Sequence, residues 1–144
     1  MDRGILRDLV DRCGTSRGRD PWLNRDIEVA VGRGRDCDDS VRQKDAYAMP
    51  LHRSDYYVPP NYSTSLDAAY SLMKLLPKPV AVYLRPITEP PAEGLEFYPW
   101  NVALTRLEDE DRPQGWNGWA HTPALALCQA LLRAVVADLN QNYV

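Results

Sequence analysis

TPALALCQALLRAVVADL, residues 122–139, is the stretch of sequence that decides the predicted fold. Thr122 supplies an N-cap hydroxyl and Pro123 occupies the first helical position, which is typical of a helix start. The apolar stripe of a long helix follows, formed by Ala124, Cys128, Leu131, Leu132, Val135 and Leu139. A second face repeats the small residues Ala126, Ala130, Ala134 and Ala137. This face suits either the close approach of another helix or subunit, so that a homo-oligomer is one expectation, or an exposed surface with high helix propensity.

Three segments upstream of this helix alternate between apolar and other residues, which is the pattern of strands. The first is 80–85, closed by Pro86, and the second is 100–105. Residues 114–120 form the third, with a hairpin tip at Asn117-Gly118 as the alternative. The strand is favoured because a two-residue turn leaves arms too short to pair well. These elements predict an α+β fold in which helices sandwich a small, three-stranded, antiparallel sheet.

Three shorter helices are predicted nearer the N-terminus. The first covers 5–13, and the second follows an Asp20 N-cap and stops at Gly32. The third begins with Thr64 as its N-cap and ends at Pro77. Its spacing predicts burial of Leu66, Ala69, Tyr70, Met73 and Leu76.

Residues 33–61 show no periodicity of either kind. A stretch of this length inside a compact domain is either functional or disordered, and we expect a long irregular loop with a functional role. The chain of 144 residues has the size of one domain, so 1–144 is predicted to fold as a single unit.

The charge balance narrows the classes of partner. Net charge is -3 and 26% of residues are charged, which argues against a disordered polyelectrolyte and against binding to extended nucleic acid. No helix has a Lys/Arg-rich polar face and no run approaches ~18 apolar residues, so no membrane partner is expected. Three widely spaced cysteines predict a reduced, cytoplasmic protein.

Two quoted runs carry a family resemblance. YSTSLDAA at 62–69 and WAHTPALALC at 119–128, together with the two N-terminal helices, resemble the phage ABA sandwich domain found in small bacteriophage proteins. The resemblance implies a helix, sheet, helix sandwich, a phage origin and therefore the cytoplasm of the bacterial host. It implies no catalytic residue.

Catalytic and metal chemistry find little support in the sequence. Only His52 and His121 offer imidazoles, and no serine or cysteine lies in a nucleophile motif. The histidines and cysteines do not fall at metal-ligand spacing. We therefore expect no catalytic residue, no metal site and no cofactor, with an uncharacterised hydrolase kept as one alternative.

Binding of an anionic ligand has a better basis. The helix starts at Thr64 and Thr122 offer hydroxyls and free N–H groups, which favour a phosphate. Arginine forks and aromatic faces nearby suit a nucleotide. The predicted ligand-binding residues are Arg53, Tyr57, Tyr62, Ser63, Thr64, Ser65, Arg85, Trp116, Trp119, His121 and Thr122.

These observations lead to a hypothesis of function. We expect a non-catalytic phage accessory protein that counters a bacterial defence system by sequestering a phosphate-bearing signal nucleotide, as a molecular sponge. The alternative is a protein–protein inhibitor of a host defence complex, comparable to an anti-CRISPR protein. Acidic loops, with Glu89, Glu93, Glu96 and the run 108–111, motivate that alternative because they could mimic phosphates.

Overall fold

A computed structural model describes residues 1–31, 59–106 and 114–141, together with the backbone of 49–50 and 56–57. Most of the predicted loop 33–61 and all of the acidic run 108–111 lie outside this part of the chain. In chain order the elements are α1 (Arg3–Thr15), α2 (Pro21–Ala30), β1 (Met49–Pro50), β2 (Tyr56–Tyr57), α3 (Leu66–Tyr70) with a following 3₁₀ turn (Ser71–Leu75), β3 (Ala81–Pro86), β4 (Trp100–Arg106), β5 (Gln114–Ala120) and α4 (Pro123–Gln141).

The main sheet has the order β3-β4-β5, and both pairings are antiparallel. Residues 114–120 pair along their whole length with β4, so this segment is a strand and not a hairpin tip. A separate two-stranded ladder joins β1 and β2. The predicted α+β class with a three-stranded antiparallel sheet is confirmed, but in the described part of the chain the helices lie on one side of the sheet and do not sandwich it.

Helix α4 is the centre of the core. It packs against β4 and β5 on one side and against α1 on another. Every residue from Ala124 to Leu132 is buried. The window Pro123–Asn140 has a mean hydropathy of 1.2 and could cross a membrane by length and composition, but 67% of it is buried inside the fold, as in the core helix of a globular domain.

The alanine face of α4 packs within the chain. Ala126, Ala130 and Ala134 are all fully buried. A Cβ added to Gly118 of β5 would overlap the carbonyl oxygen of Ala126 and meet the amide of Ala130. The interpretation of this face as an exposed surface is therefore wrong, because the alanines bring α4 close to the sheet. Close approach of another helix or subunit is the other interpretation, and the homo-oligomer stays a prediction.

The segment around α3 also differs from its prediction. Ser65, and not Thr64, is the N-cap, and its hydroxyl accepts a hydrogen bond from the amide of Ala68. The α-helix ends after five residues, and the chain continues as a 3₁₀ turn. Leu66 and Tyr70, which the helical spacing predicts to be buried, are 41% and 54% exposed.

Candidate functional site

The face of the sheet that turns away from α4 carries exposed polar and aromatic residues, among them the predicted Arg85 and Trp119. Helix α4 packs against the sheet on the side of Val102, Leu104 and Gly118, and no helix among the described residues packs across the other side. Side chains alternate along strands, so the register assigns the opposite residues to one surface, here called the open face. It consists of Ala81, Tyr83, Arg85, Asn101, Ala103, Thr105, Gly115, Asn117 and Trp119.

Two predicted ligand residues share one row of the open face. Arg85 pairs with Asn101, and Asn101 pairs with Trp119. Neighbouring strands lie about 4.8 Å apart, which separates the backbones of Arg85 and Trp119 by about 10 Å. The register thus brings together residues that are 34 positions apart in sequence.

Asn101 holds this row in place. Its side chain is buried, with Nδ2 donating to the carbonyl oxygen of Gly118 at 3.0 Å. Its Oδ1 accepts from Nε of Arg85 at 2.9 Å. No described residue forms a hydrogen bond or an ion pair with the two terminal nitrogens of Arg85, and the residue is exposed. The guanidinium is therefore oriented through one nitrogen while its outer edge can meet an anion.

Trp119 offers an aromatic surface from a fixed backbone. Trp119 is 38% exposed. Its amide donates to Oε1 of Gln129 in α4 at 2.8 Å. A tryptophan held in this way on an exposed sheet suits stacking against a nucleic-acid base.

His121 lies just beyond β5, next to the acidic connection between β3 and β4. Its Nε2 is 3.4 Å from Oε1 of Glu96, and its ring centroid is 5.5 Å from that of Tyr98. The Tyr98 hydroxyl donates to Glu96, and this hydrogen bond raises the pKa of Tyr98. These contacts tie the connection to the end of the sheet.

The predicted site around residues 62–65 is an internal junction. Tyr62 is fully buried, and its hydroxyl donates to Oε1 of Glu28 at 2.8 Å. Ser63 is also fully buried, and its hydroxyl accepts from the amide of Asp20 while its own amide donates to Asn24. Neither residue has a surface left for a ligand.

The two predicted helix starts are occupied by their own chain. The Thr122 hydroxyl donates to the carbonyl oxygen of Ser63 at 2.7 Å and accepts from the amide of Leu125 at 3.0 Å. Thr122 is therefore the N-cap of α4, as predicted, but its hydroxyl is committed. Ser65 caps a helix of only five residues, and Thr64 is exposed beside it. This arrangement joins α2, α3 and α4, and the hydroxyls of Ser63, Ser65 and Thr122 are all hydrogen-bonded within the chain.

Trp116 lies on the other face of the sheet from Trp119. Its ring is 5.2 Å from the guanidinium carbon of Arg106, which forms two hydrogen bonds with Asp138 of α4. This tryptophan covers a core ion pair and does not join the open face. Arg53 and the side chain of Tyr57 lie outside the described residues, so their predicted role has no structural account.

Sequence reasoning missed two residues of the open face. Asn101 positions Arg85, and Tyr83, at 62% exposure, is the most exposed aromatic residue of the sheet. Tyr83 follows Val82, and Asn101 precedes Val102. The alternation along the predicted strands therefore indicates that both residues lie on the outer face. That signal identifies a face but not the row in which residues meet.

Neither a search for metal-ligating groups nor comparison with known proteins assigns a further role to any residue. Among the described residues, no group of three or more His, Cys, Asp or Glu side chains lies close enough to hold a metal ion. Comparisons with protein-family models, curated proteins and solved structures gave no match for this chain.

Proposed function

We propose that the open face binds a phosphate-bearing nucleotide, with the base stacked on Trp119 and a phosphate paired with Arg85. The biological role that we propose is non-catalytic. The protein would act as a phage accessory protein in the bacterial cytoplasm and would sequester a signal nucleotide of a host defence system.

One observation carries the proposal. Arg85 is oriented by Asn101 through Nε, its terminal nitrogens have no partner among the described residues, and it shares a sheet row with the exposed Trp119. Charge-assisted hydrogen bonds to phosphate are about twice as strong as neutral ones. Stacking of a base on an aromatic side chain contributes about 1–3 kcal/mol. The separation of about 10 Å between the two backbones suits a ligand with a base at one end and a phosphate at the other.

A nucleotide screen tests this proposal directly. Cyclic and linear mono- and dinucleotides would be added to the full chain at millimolar concentration, and the melting temperature would be recorded. A ligand that binds only the folded state must raise the melting temperature. If none of the nucleotides raises it, nucleotide binding is excluded.

Trp119→Ala tests the stacking surface and has a matched control. Trp22 is also 38% exposed but lies on α2, against Arg25. We expect Trp119→Ala to weaken binding of the nucleotide found in the screen about tenfold or more, and Trp22→Ala to leave its affinity unchanged. Equal effects of the two substitutions would contradict the assignment.

Arg85→Gln tests the phosphate contact. Hydrogen bonds to charged groups contribute about 1.5–3 kcal/mol, so affinity should fall about tenfold to a hundredfold. Arg7 is an exposed arginine on α1, and Arg7→Gln is the control for the loss of one positive charge. Binding of the corresponding nucleoside, which lacks phosphate, should be insensitive to Arg85→Gln. Mass spectrometry of the ligand after incubation separates sequestration from hydrolysis, because an enzyme would consume it.

A second candidate function, inhibition of a host defence protein, has its own supporting surface. The connection between β3 and β4 exposes Leu95 at 66% and Phe97 at 42%, and exposed Glu89 and Glu93 lie beside them. An acidic surface with apolar anchors suits docking on a basic groove. An infection assay measures whether a phage that carries this protein can infect a host with the defence system. Inhibition of a defence protein predicts that infection still succeeds with Arg85→Gln and fails when Glu89 and Glu93 are changed to lysine. The nucleotide proposal predicts the reverse.

A further inference from the structure

The two edges of the main sheet are treated differently by the rest of the fold. At the β5 edge, Gln129 accepts from the amide of Trp119, and Arg133 donates to the carbonyl oxygen of Asn117. Side chains of α4 therefore close this edge. At the β3 edge, no described residue forms such a bond with the outward-facing backbone. Natural proteins usually cover or pair an exposed edge strand, because it is a template for further pairing.

The register identifies the groups on the β3 edge. The amide of Ile87 donates to the carbonyl oxygen of Pro99 at 2.8 Å, so Ile87 turns toward β4. Backbone groups alternate in direction along an antiparallel strand, so the N–H and C=O groups of Val82 and Leu84 point away from β4. Pro86 has the same phase, and its missing N–H falls on this outer edge, where proline is tolerated.

We propose that a second copy of this chain pairs antiparallel with β3 and that the two three-stranded sheets join into one six-stranded sheet. The two-fold axis passes between the two Tyr83 residues. Leu84 of one copy then faces Val82 of the other, and these two residues exchange both of their outward backbone hydrogen bonds. Two-fold symmetry repeats the exchange on the other side of the axis.

Side-chain chemistry favours a second copy as the occupant. In this register Arg85 lies opposite Ala81, so the pairing brings no like charges together. Lys78 precedes the strand and Glu89 follows it, and antiparallel pairing brings the Lys78 end of one copy beside the Glu89 end of the other. The segment is thus complementary to itself in charge.

Exposed apolar area at this edge gives a second reason for pairing. Tyr83 is 62% exposed and Leu84 is 40% exposed. Leu84 also lines an apolar groove of about 200 Å³ with Leu66 and Tyr70. The second copy would cover Tyr83 with Tyr83 on the open face and place its own Leu84 beside this groove. The proposal stands independently of nucleotide binding, although it would join the two open faces into one surface.

The experiment measures oligomeric state in the absence of any nucleotide. Sedimentation equilibrium of the full chain should give twice the mass of one chain at high concentration. Tyr83→Lys places two ammonium groups opposite each other at the axis, where paired Cα atoms lie about 4.5 Å apart, and should weaken the dimer about tenfold or more. Leu95→Lys, at an equally exposed apolar residue of the β3–β4 connection, should leave the dimer intact.

Charge pairing tests the register itself. Tyr83→Lys and Tyr83→Glu chains should each dimerise about tenfold or more weakly than the wild type when measured alone, and an equimolar mixture should form heterodimers more tightly than either variant forms homodimers. A heterodimer also shows that both variants fold. A wild-type chain that stays monomeric at all concentrations, a dimer that is unaffected by Tyr83→Lys, or a mixture that remains monomeric would each overturn the proposal.

Discussion

Gly118 of β5 lies directly against the main-chain carbonyl of Ala126 in α4. The same glycine also faces the amide of Ala130 one turn later. Glycine in the strand and alanine in the helix remove the side chains that would hold these two elements apart. The contact explains why α4 can bury a face of small residues against the sheet and still leave no gap between the two.

Gly118→Ala should strongly destabilise the fold. The added Cβ would overlap backbone atoms that cannot rotate away, so we expect a loss of about 3 kcal/mol or more in the free energy of unfolding. Chemical denaturation measures the change. A Cβ added to Gly18 would meet only open space, so Gly18→Ala is the control and should change stability by no more than about 0.5 kcal/mol. Similar midpoints for the two variants would contradict the close approach of α4 to β5.

Gln129→Met should destabilise the junction of α1, β5 and α4, which meet at the Gln129 side chain. Nε2 of Gln129 donates to the carbonyl oxygen of Val10 at 3.0 Å, and Oε1 accepts from the amide of Trp119 at 2.8 Å. Methionine keeps the volume but leaves a buried donor without its acceptor, at a cost of about 1–3 kcal/mol. Hydrogen exchange should show loss of protection at the Trp119 amide. Gln114→Met, at an exposed position of β5, should change neither measurement.

The long helix and the three strands could be predicted because their signals are local. A period of 3.6 over 122–139 and a period of 2 over 80–85 need no knowledge of distant contacts. Segment 64–77 shows where this fails. Its period predicts one continuous α-helix that buries Leu66 and Tyr70, but the α-helix ends at Tyr70 and a 3₁₀ turn with about 3.0 residues per turn follows. The buried side is formed by Ala69, Leu72 and Leu76, and Leu66 and Tyr70 face outward.

The candidate site could be predicted only in part, for a related reason. Arg85 and Trp119 could be recognised as chemically suitable, but their shared row depends on strand register, which the sequence does not specify residue by residue. Tyr62 and Ser63 had equally suitable side chains. Their burial follows from partners 34 and 39 positions away, Glu28 and Asn24, and no local pattern indicates such partners.

Tyr62→Phe should destabilise the junction between α2 and the turn before α3. The variant keeps the ring but removes the hydroxyl that donates to Oε1 of buried Glu28. A buried acceptor that loses its donor costs about 1–3 kcal/mol, and urea denaturation should show this loss. Tyr70, which is 54% exposed, offers the matched control, and Tyr70→Phe should alter stability by less than about 0.5 kcal/mol. Equal stability of the two variants would show that the Glu28 contact contributes nothing.

Stability should fall in alkaline solution because of a buried thiol. Burial raises the pKa of Cys13 from its ordinary value of 9.0 to about 12, and burial also raises the pKa of Cys128. Between pH 9.0 and about pH 12, the unfolded chain releases the Cys13 proton while the folded chain keeps it. The folded state then binds more protons, so the free energy of unfolding decreases by about 1.4 kcal/mol per pH unit for this thiol.

Comparison with Cys13→Ala isolates this effect from other groups that titrate in the same range. Alanine removes the thiol and leaves a small cavity, so the variant should be less stable than the wild type at pH 7. As the pH rises through 9, only the wild type loses the contribution of Cys13. The difference between the two proteins, measured by urea denaturation at each pH, should therefore shrink steadily. A difference that stays constant up to pH 11 would show that the folded thiol ionises as readily as the unfolded one, and Cys13 would then not be enclosed by α1 and α4.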